Sequence, residues 1–117
     1  MTADIATGPS VRISIAEAAA KVDPTAAVPS VPLFQHGTML VKYYAPQQVD
    51  RQTPHTRDEV YVVARGRGTF MDDTERRAVG PGDLLFVAAG RSHRFEDFTP
   101  DFGVWVVFYG PDGGENA

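Results

Sequence analysis

Two hydrophobic patterns divide this chain. Near the start, Ile15, Ala18, Ala19 and Val22 recur at three- and four-residue spacing, which is one apolar stripe of a helix. Ser14-Ile15-Ala16-Glu17 ahead of that stripe fits a capping box, and Pro24 closes the helix at or before Asp23. From Leu33 the pattern changes to short runs rich in Val, Phe, Tyr and Leu, separated by Gly, Pro and Asp. These predict strands at 33–36, 38–45, 58–65, 68–72, 76–79, 83–87, 92–97 and 103–109. The turns fall on Gly66-Arg67-Gly68, Met71 to Thr74, Gly80 to Asp83 and Ala89-Gly90-Arg91. Many short strands at regular spacing imply an all-β barrel or sandwich. The expected division is a flexible tail at 1–12, a helix and extended connector at 13–32, a barrel at 33–110 and a second flexible tail at 111–117.

Several strands are apolar on both faces. Val60, Val62 and Ala64 oppose Tyr61 and Val63, while Val104, Val106 and Phe108 oppose Trp105, Val107 and Tyr109. A sheet with one wet face should alternate, so these strands need a cover on each side. The cover is either the N-terminal segment or a second subunit, and the reading leans toward a homodimer. The other aromatics, Phe70, Phe86, Phe102, Trp105 and Phe108, are expected in the core.

Composition narrows the chemistry. The 117 residues suit a single domain. There is no cysteine, so disulfides and thiolate metal sites are excluded. A net charge of −4 argues against nucleic acid, no apolar run is long enough to span a bilayer, and Met1 to Asp4 lack the basic start of a secretory signal. A cytoplasmic protein working on a small molecule, with neither nucleic acid nor membrane as partner, is the expectation. Arginines cluster between Arg51 and Arg94; they read as a solvated surface, or more sharply as a mild attraction for an anionic substrate.

The candidate chemistry centres on Pro54 to Gly66. His55 and Glu59 are four apart, so a strand through both puts imidazole and carboxylate on one face beside apolar neighbours. Burying that pair calls for a partner, and a divalent cation is the simplest one. His93 lies in a patterned stretch of its own.

His55, Glu59 and Gly66 at these spacings, followed by Gly82, Gly90 and His93, resemble the two motifs of the cupin family over about residues 34–109. The resemblance implies a double-stranded β-helix barrel of the jelly-roll type. It carries over three metal ligands, His55, Glu59 and His93, for one divalent ion: Fe, Mn, Ni, Cu or Zn. Three positions depart from the motifs. The leading histidine falls on Thr53, a proline on Ala88 and an asparagine on Asp97. Thr53 shares odd parity with His55 and Glu59, so in a regular strand its hydroxyl would face the metal from one layer out. His36 is either a surface turn residue or a stand-in ligand. Tyr61, two past Glu59, is either core or a phenol over the metal acting as proton donor or acceptor; Phe95, two past His93, is expected as pocket wall. The plainer readings remain beside these: an exposed His55, a Glu59 paired with Arg57, a His93 bonded to Asp97. The resemblance implies a metal-dependent enzyme of dioxygenase, isomerase or lyase type, or else a ligand-binding or sensing module with a structural metal.

Overall fold

The computed structural model describes residues 5–116. One helix, α1 (Ile15–Ala20), precedes eight strands: β1 (Ser30–His36), β2 (Met39–Tyr44), β3 (Asp58–Arg65), β4 (Gly68–Asp72), β5 (Arg76–Val79), β6 (Leu84–Val87), β7 (His93–Glu96) and β8 (Gly103–Tyr109). All strand pairs are antiparallel. They form a five-stranded sheet in the order β1-β2-β8-β3-β6 and a three-stranded sheet in the order β5-β4-β7. Tyr61, Val63, Leu85, Val87, Val104 and Val106 of the first sheet share one core with Phe70, Val79 and Phe95 of the second. The predicted barrel is thus two facing sheets wrapped around a common core, without continuous hydrogen bonding around its circumference.

Local chemistry explains the borders. Ser14 caps α1 by accepting from the Glu17 amide at 3.1 Å, an arrangement worth about 1 kcal/mol. Gly66 turns β3 into β4 with φ +74°, and a Cβ there would stand 2.8 Å from the Phe102 Cα. Asp97 takes the place of the motif asparagine with φ +50°, a conformation both residue types tolerate. β1 starts at Ser30, inside the expected connector, and includes Pro32. β1 is the last strand of its sheet, where a residue without an N–H is accommodated.

Both expected tails are partly tied down. Ala6 donates to the Leu33 carbonyl at 2.8 Å and accepts from the Gln35 amide, forming a parallel bridge along β1. At the other end, Gly113 donates to the Thr56 carbonyl and Glu115 to Asp58. The tail positions 1–4 and 117 lie outside the described residues.

The two-faced strands find a cover over half their width. α1 lays Ala18, with Ile15, Ala19 and Val22, onto Val31, Leu33, Tyr43 and Trp105 on the outer face of the large sheet. Beyond it, register places Val41, Val107, Val60 and Phe86 in one row across β2, β8, β3 and β6, with Val62 and Leu84 paired alongside. Here the outer face stays open: Leu84 is 66% exposed and Phe86 56%. Phe86, expected in the core, therefore lies outside it, because period-2 alternation on β6 sends Leu85 and Val87 inward instead. No helix among the described residues is long and apolar enough to cross a membrane.

Candidate metal centre

The inner face of β3 begins with Glu59, continues with Tyr61, and meets His93 at the start of β7. His55 comes from the loop before β3. Its carbonyl accepts from the Gly90 amide at 2.6 Å, so the turn at Ala88–Arg91 holds this loop in place. The same turn orients the other histidine, since His93 Nδ1 lies 2.8 Å from the Arg91 carbonyl. A carbonyl only accepts, so Nδ1 carries the proton and a neutral His93 offers the lone pair of Nε2. Asp58 steadies the far side of the loop by accepting from the Ala89 and Glu115 amides, and those two bonds hold its carboxyl below the usual carboxylate range.

The donor atoms converge. His93 Nε2 stands 2.9 Å and His55 Nε2 3.9 Å from Glu59 Oε1, and one donor atom from each of the three residues lies within 4.8 Å of the others. At metal–ligand bonds near 2.1 Å, donors on one cation stand roughly 3 Å apart at right angles and roughly 4 Å apart across the ion. Glu59 is 1% exposed, and neither of its oxygens accepts a well-formed hydrogen bond. A buried carboxylate facing two imidazole lone pairs is strongly unfavourable unless a proton or a cation lies between them. Burial is the largest influence on His93 and opposes its charge, but Glu59 and the Arg91 carbonyl outweigh it and raise its pKa above 6.5. On His55 burial prevails over the attraction of Glu59 and lowers the pKa. Arg57, the alternative partner for Glu59, donates to the Gly110 carbonyl instead.

Tyr61 lies at the centre of this cluster. Its hydroxyl is 2.9 Å from His93 Nε2 and 2.8 Å from Gln52 Oε1, and burial, then the Glu59 and Asp50 charges, push its pKa well above 10.0. Phe95 is buried beneath Tyr61 at a ring separation of 5.1 Å. It supports the phenol from below and does not line the cavity beside the cluster. Phe108 contributes there, edge-on to His55 at 4.8 Å.

Two expectations about extra donors change. His36 is exposed at the end of β1, next to the β1–β2 turn, and is not among the clustered donors. The parity argument for Thr53 assumed a strand through residues 53–59, but β3 begins only at Asp58 and Thr53 is exposed. The irregular loop turns Gln52 inward instead. Lys42 is the other residue sequence reasoning missed. It lies on the inner face of β2 and, with Tyr44, Gln52, His55, Glu59 and Tyr61, lines a cavity of about 40 Å³. Burial lowers its pKa, partly offset by Glu59. A signal was present: Leu40, Lys42 and Tyr44 alternate with Val41 and Tyr43, which puts a lysine on the core face of a strand. The Arg51–Arg94 arginines, by contrast, are mostly exposed.

Comparison with known proteins agrees with this architecture. An uncharacterized protein of Streptomyces coelicolor is 40% identical over 63 residues, which are 54% of this chain and 60% of that protein, so the match spans less than two thirds of the relative. The fold resembles that of a protein of unknown function from Rhizobium leguminosarum (TM-score 0.71, 22% identity, 87% of this chain and 98% of the other). It also resembles a cupin 2 conserved barrel domain protein from Salinispora arenicola (TM-score 0.65, 17% identity, 88% and 90%). The sequence profile of the cupin domain matches residues 40–108, which include β3, β7 and all three clustered donors. With more than half its length in that match and two antiparallel sheets around one core, this chain belongs to the cupin family.

Proposed function

We propose that this protein holds one divalent transition-metal ion on His55, Glu59 and His93 and presents it to a small anionic molecule. The observation that carries this reading is Glu59, buried and without a well-formed hydrogen bond, facing two imidazole nitrogens at 2.9 and 3.9 Å. Two neutral nitrogens and one carboxylate suit Fe, Mn, Ni, Cu or Zn and leave coordination positions open. When bound, the ion supplies Lewis acidity and, for Fe, the dioxygenase chemistry known for such ligand sets. The charge balance favours an anion. Glu59 cancels one of the two positive charges, and the Lys42 ammonium on the same cavity wall adds another. Lys42 would bind the anionic group. Tyr61, whose raised pKa keeps it protonated, would turn its one hydroxyl proton from Gln52 Oε1 to the bound molecule and act there as the catalytic proton donor. Isomerase or lyase chemistry fits the same residues.

One observation favours the non-catalytic alternative, a binding or sensing module. The space between Lys42, His55, Glu59 and Tyr61 is only about 40 Å³, so a substrate would have to lie in the neighbouring clefts, about 190 Å³ beside Gln52 and His93 or about 180 Å³ beside His55 and Phe108. Elemental analysis after purification, followed by O₂ uptake with small phenols and keto acids, separates the two. Metal with turnover supports the enzyme, metal without turnover supports the module, and protein that takes up no metal even on reconstitution overturns both. The Lys42 assignment has its own check: titrating metal-loaded protein with propionate should show about tenfold weaker binding in Lys42→Met, equivalent to ~1.4 kcal/mol, at unchanged metal content.

A second copy of the chain is proposed as the partner covering the open part of the outer face. The rows Val41-Val107-Val60-Phe86 and Val62-Leu84 are uncharged and lie on an open face with β6 as its edge strand, a patch that a two-fold axis would bury against its own copy. Phe86→Lys should convert a dimer to a monomer in sedimentation velocity at micromolar concentration. A wild-type protein that already sediments as a monomer removes the proposal.

A further inference from the structure

The cupin motif carries a leading histidine where this chain has Thr53, and Thr53 points to solvent. Gln52, one residue earlier, occupies the inward position. Its amide orientation is determined by its neighbours. Nε2 donates to Asp50 Oδ2 at 2.7 Å, and a carboxylate can only accept there, so Oε1 is the atom turned toward the cluster. Oε1 lies 3.4 Å from His55 Nε2 and 2.8 Å from the Tyr61 hydroxyl. Tyr61 occupies one lone pair of that oxygen, and the other stays free for a cation.

The frame behind Gln52 is rigid. Asp50 is buried and accepts at both oxygens. Oδ1 takes the Tyr44 hydroxyl at 2.5 Å and the Gln52 amide at 3.0 Å; Oδ2 takes the Phe95 amide at 2.8 Å along with the Gln52 side chain. This carboxylate ties the Gln52 loop to β2 and β7 at once. Such outlay of buried hydrogen bonds on one side-chain amide is more than a surface loop needs, and it delivers a neutral oxygen donor to the site.

We propose that Gln52 Oε1 is the fourth protein donor to the metal, in place of the histidine at the neighbouring motif position, and that Asp50 is the residue that positions it. The proposal rests on the metal-binding reading above. A neutral amide oxygen, like the neutral imidazole it replaces, leaves the site's net positive charge unchanged, which sustains the preference for an anionic molecule.

The test loads Cu(II) into the wild-type protein and counts nitrogen couplings in its electron paramagnetic resonance spectrum, alongside competitive metal titration. Wild type should show two imidazole nitrogens. Gln52→His should show three, Thr53→His should stay at two, and Gln52→Leu should weaken metal binding by on the order of tenfold or more with its circular dichroism spectrum unchanged. The inference is overturned if Gln52→Leu keeps wild-type affinity, or if Thr53→His is the variant that gains the nitrogen. A wild-type protein showing no histidine coupling, or a His93→Ala variant that still shows two imidazole nitrogens, would instead sink the metal-binding reading itself.

Discussion

Glu59→Gln should abolish metal-induced stabilisation while leaving the metal-free fold intact. In the wild type, metal at about 100 times its dissociation constant adds ~2.7 kcal/mol to folding stability. For a chain of this size that is a rise in Tm of roughly 10 °C, at roughly 4 °C per kcal/mol. The glutamine keeps the shape of Glu59 but removes the charge the cation needs, and its amide can donate to the His93 Nε2 that stands 2.9 Å from Oε1. The buried carboxylate without a well-formed hydrogen bond is then gone, so at a pH above the raised His93 pKa the metal-free variant should melt no lower than metal-free wild type. His93→Ala and His55→Ala should also lose metal, but each opens space at the site: His93 is buried, and His55 packs against Phe108. Differential scanning calorimetry with and without metal on the three variants is the measurement. If all three retain the full metal-induced rise, the ligand assignment is wrong.

The second large effect is on pH. Metal binding needs a neutral His93, and Glu59 with the Arg91 carbonyl raises its pKa above 6.5 despite its burial. Protons therefore compete with the metal from a higher pH than at an ordinary histidine, and affinity should fall about tenfold per pH unit below that raised value. The metal-free protein should behave in the opposite sense. Its protonated His93 bridges to Glu59, a contribution fully present below pH 6.5 and lost as pH rises through the folded pKa. His55, with its pKa lowered chiefly by burial, contributes stability above pH 6.5 that is lost as pH falls toward its folded value. From these two groups the metal-free protein should be most stable near pH 6.5, whereas the metal-loaded protein should gain stability on going to about pH 8. Thermal melts at about pH 5.5, 6.5 and 8 check the signs. A metal-induced shift of equal size at all three values would rule out proton–metal competition at His93.

Much of this was legible along the chain. Strand positions followed from short apolar runs between Gly- and Pro-bearing turns, and most edges match to within a residue or two. Period-2 spacing correctly placed Glu59 and Tyr61 on one inner face, because both lie within β3. Motif spacing brought out His55 and His93, 38 residues apart in sequence, as residues that meet in the fold. The capping box and helical stripe identified α1.

The failures share one physical cause. Parity holds only where the backbone is a regular strand. Residues 51–57 form a loop shaped by Asp50, by Asp58 and by the Gly90 amide, so counting by twos from Glu59 pointed to Thr53 and missed Gln52. Phe86 was assigned to the core for being aromatic, yet on a short edge strand its neighbours Leu85 and Val87 pair with the inward Tyr61 and Glu59, which leaves Phe86 exposed opposite Val60. Ala6 and Glu115 looked like free tails because the amides and carbonyls that bind them belong to distant strands and loops. The sequence by itself determined which side chains carry the chemistry and the alternation that makes the sheets, since both depend on residue type and local spacing. Only the tertiary structure decided which face of a loop turns inward, which proton His93 carries, and that Lys42 and Gln52 join the cluster, because those depend on hydrogen bonds between segments far apart in the chain.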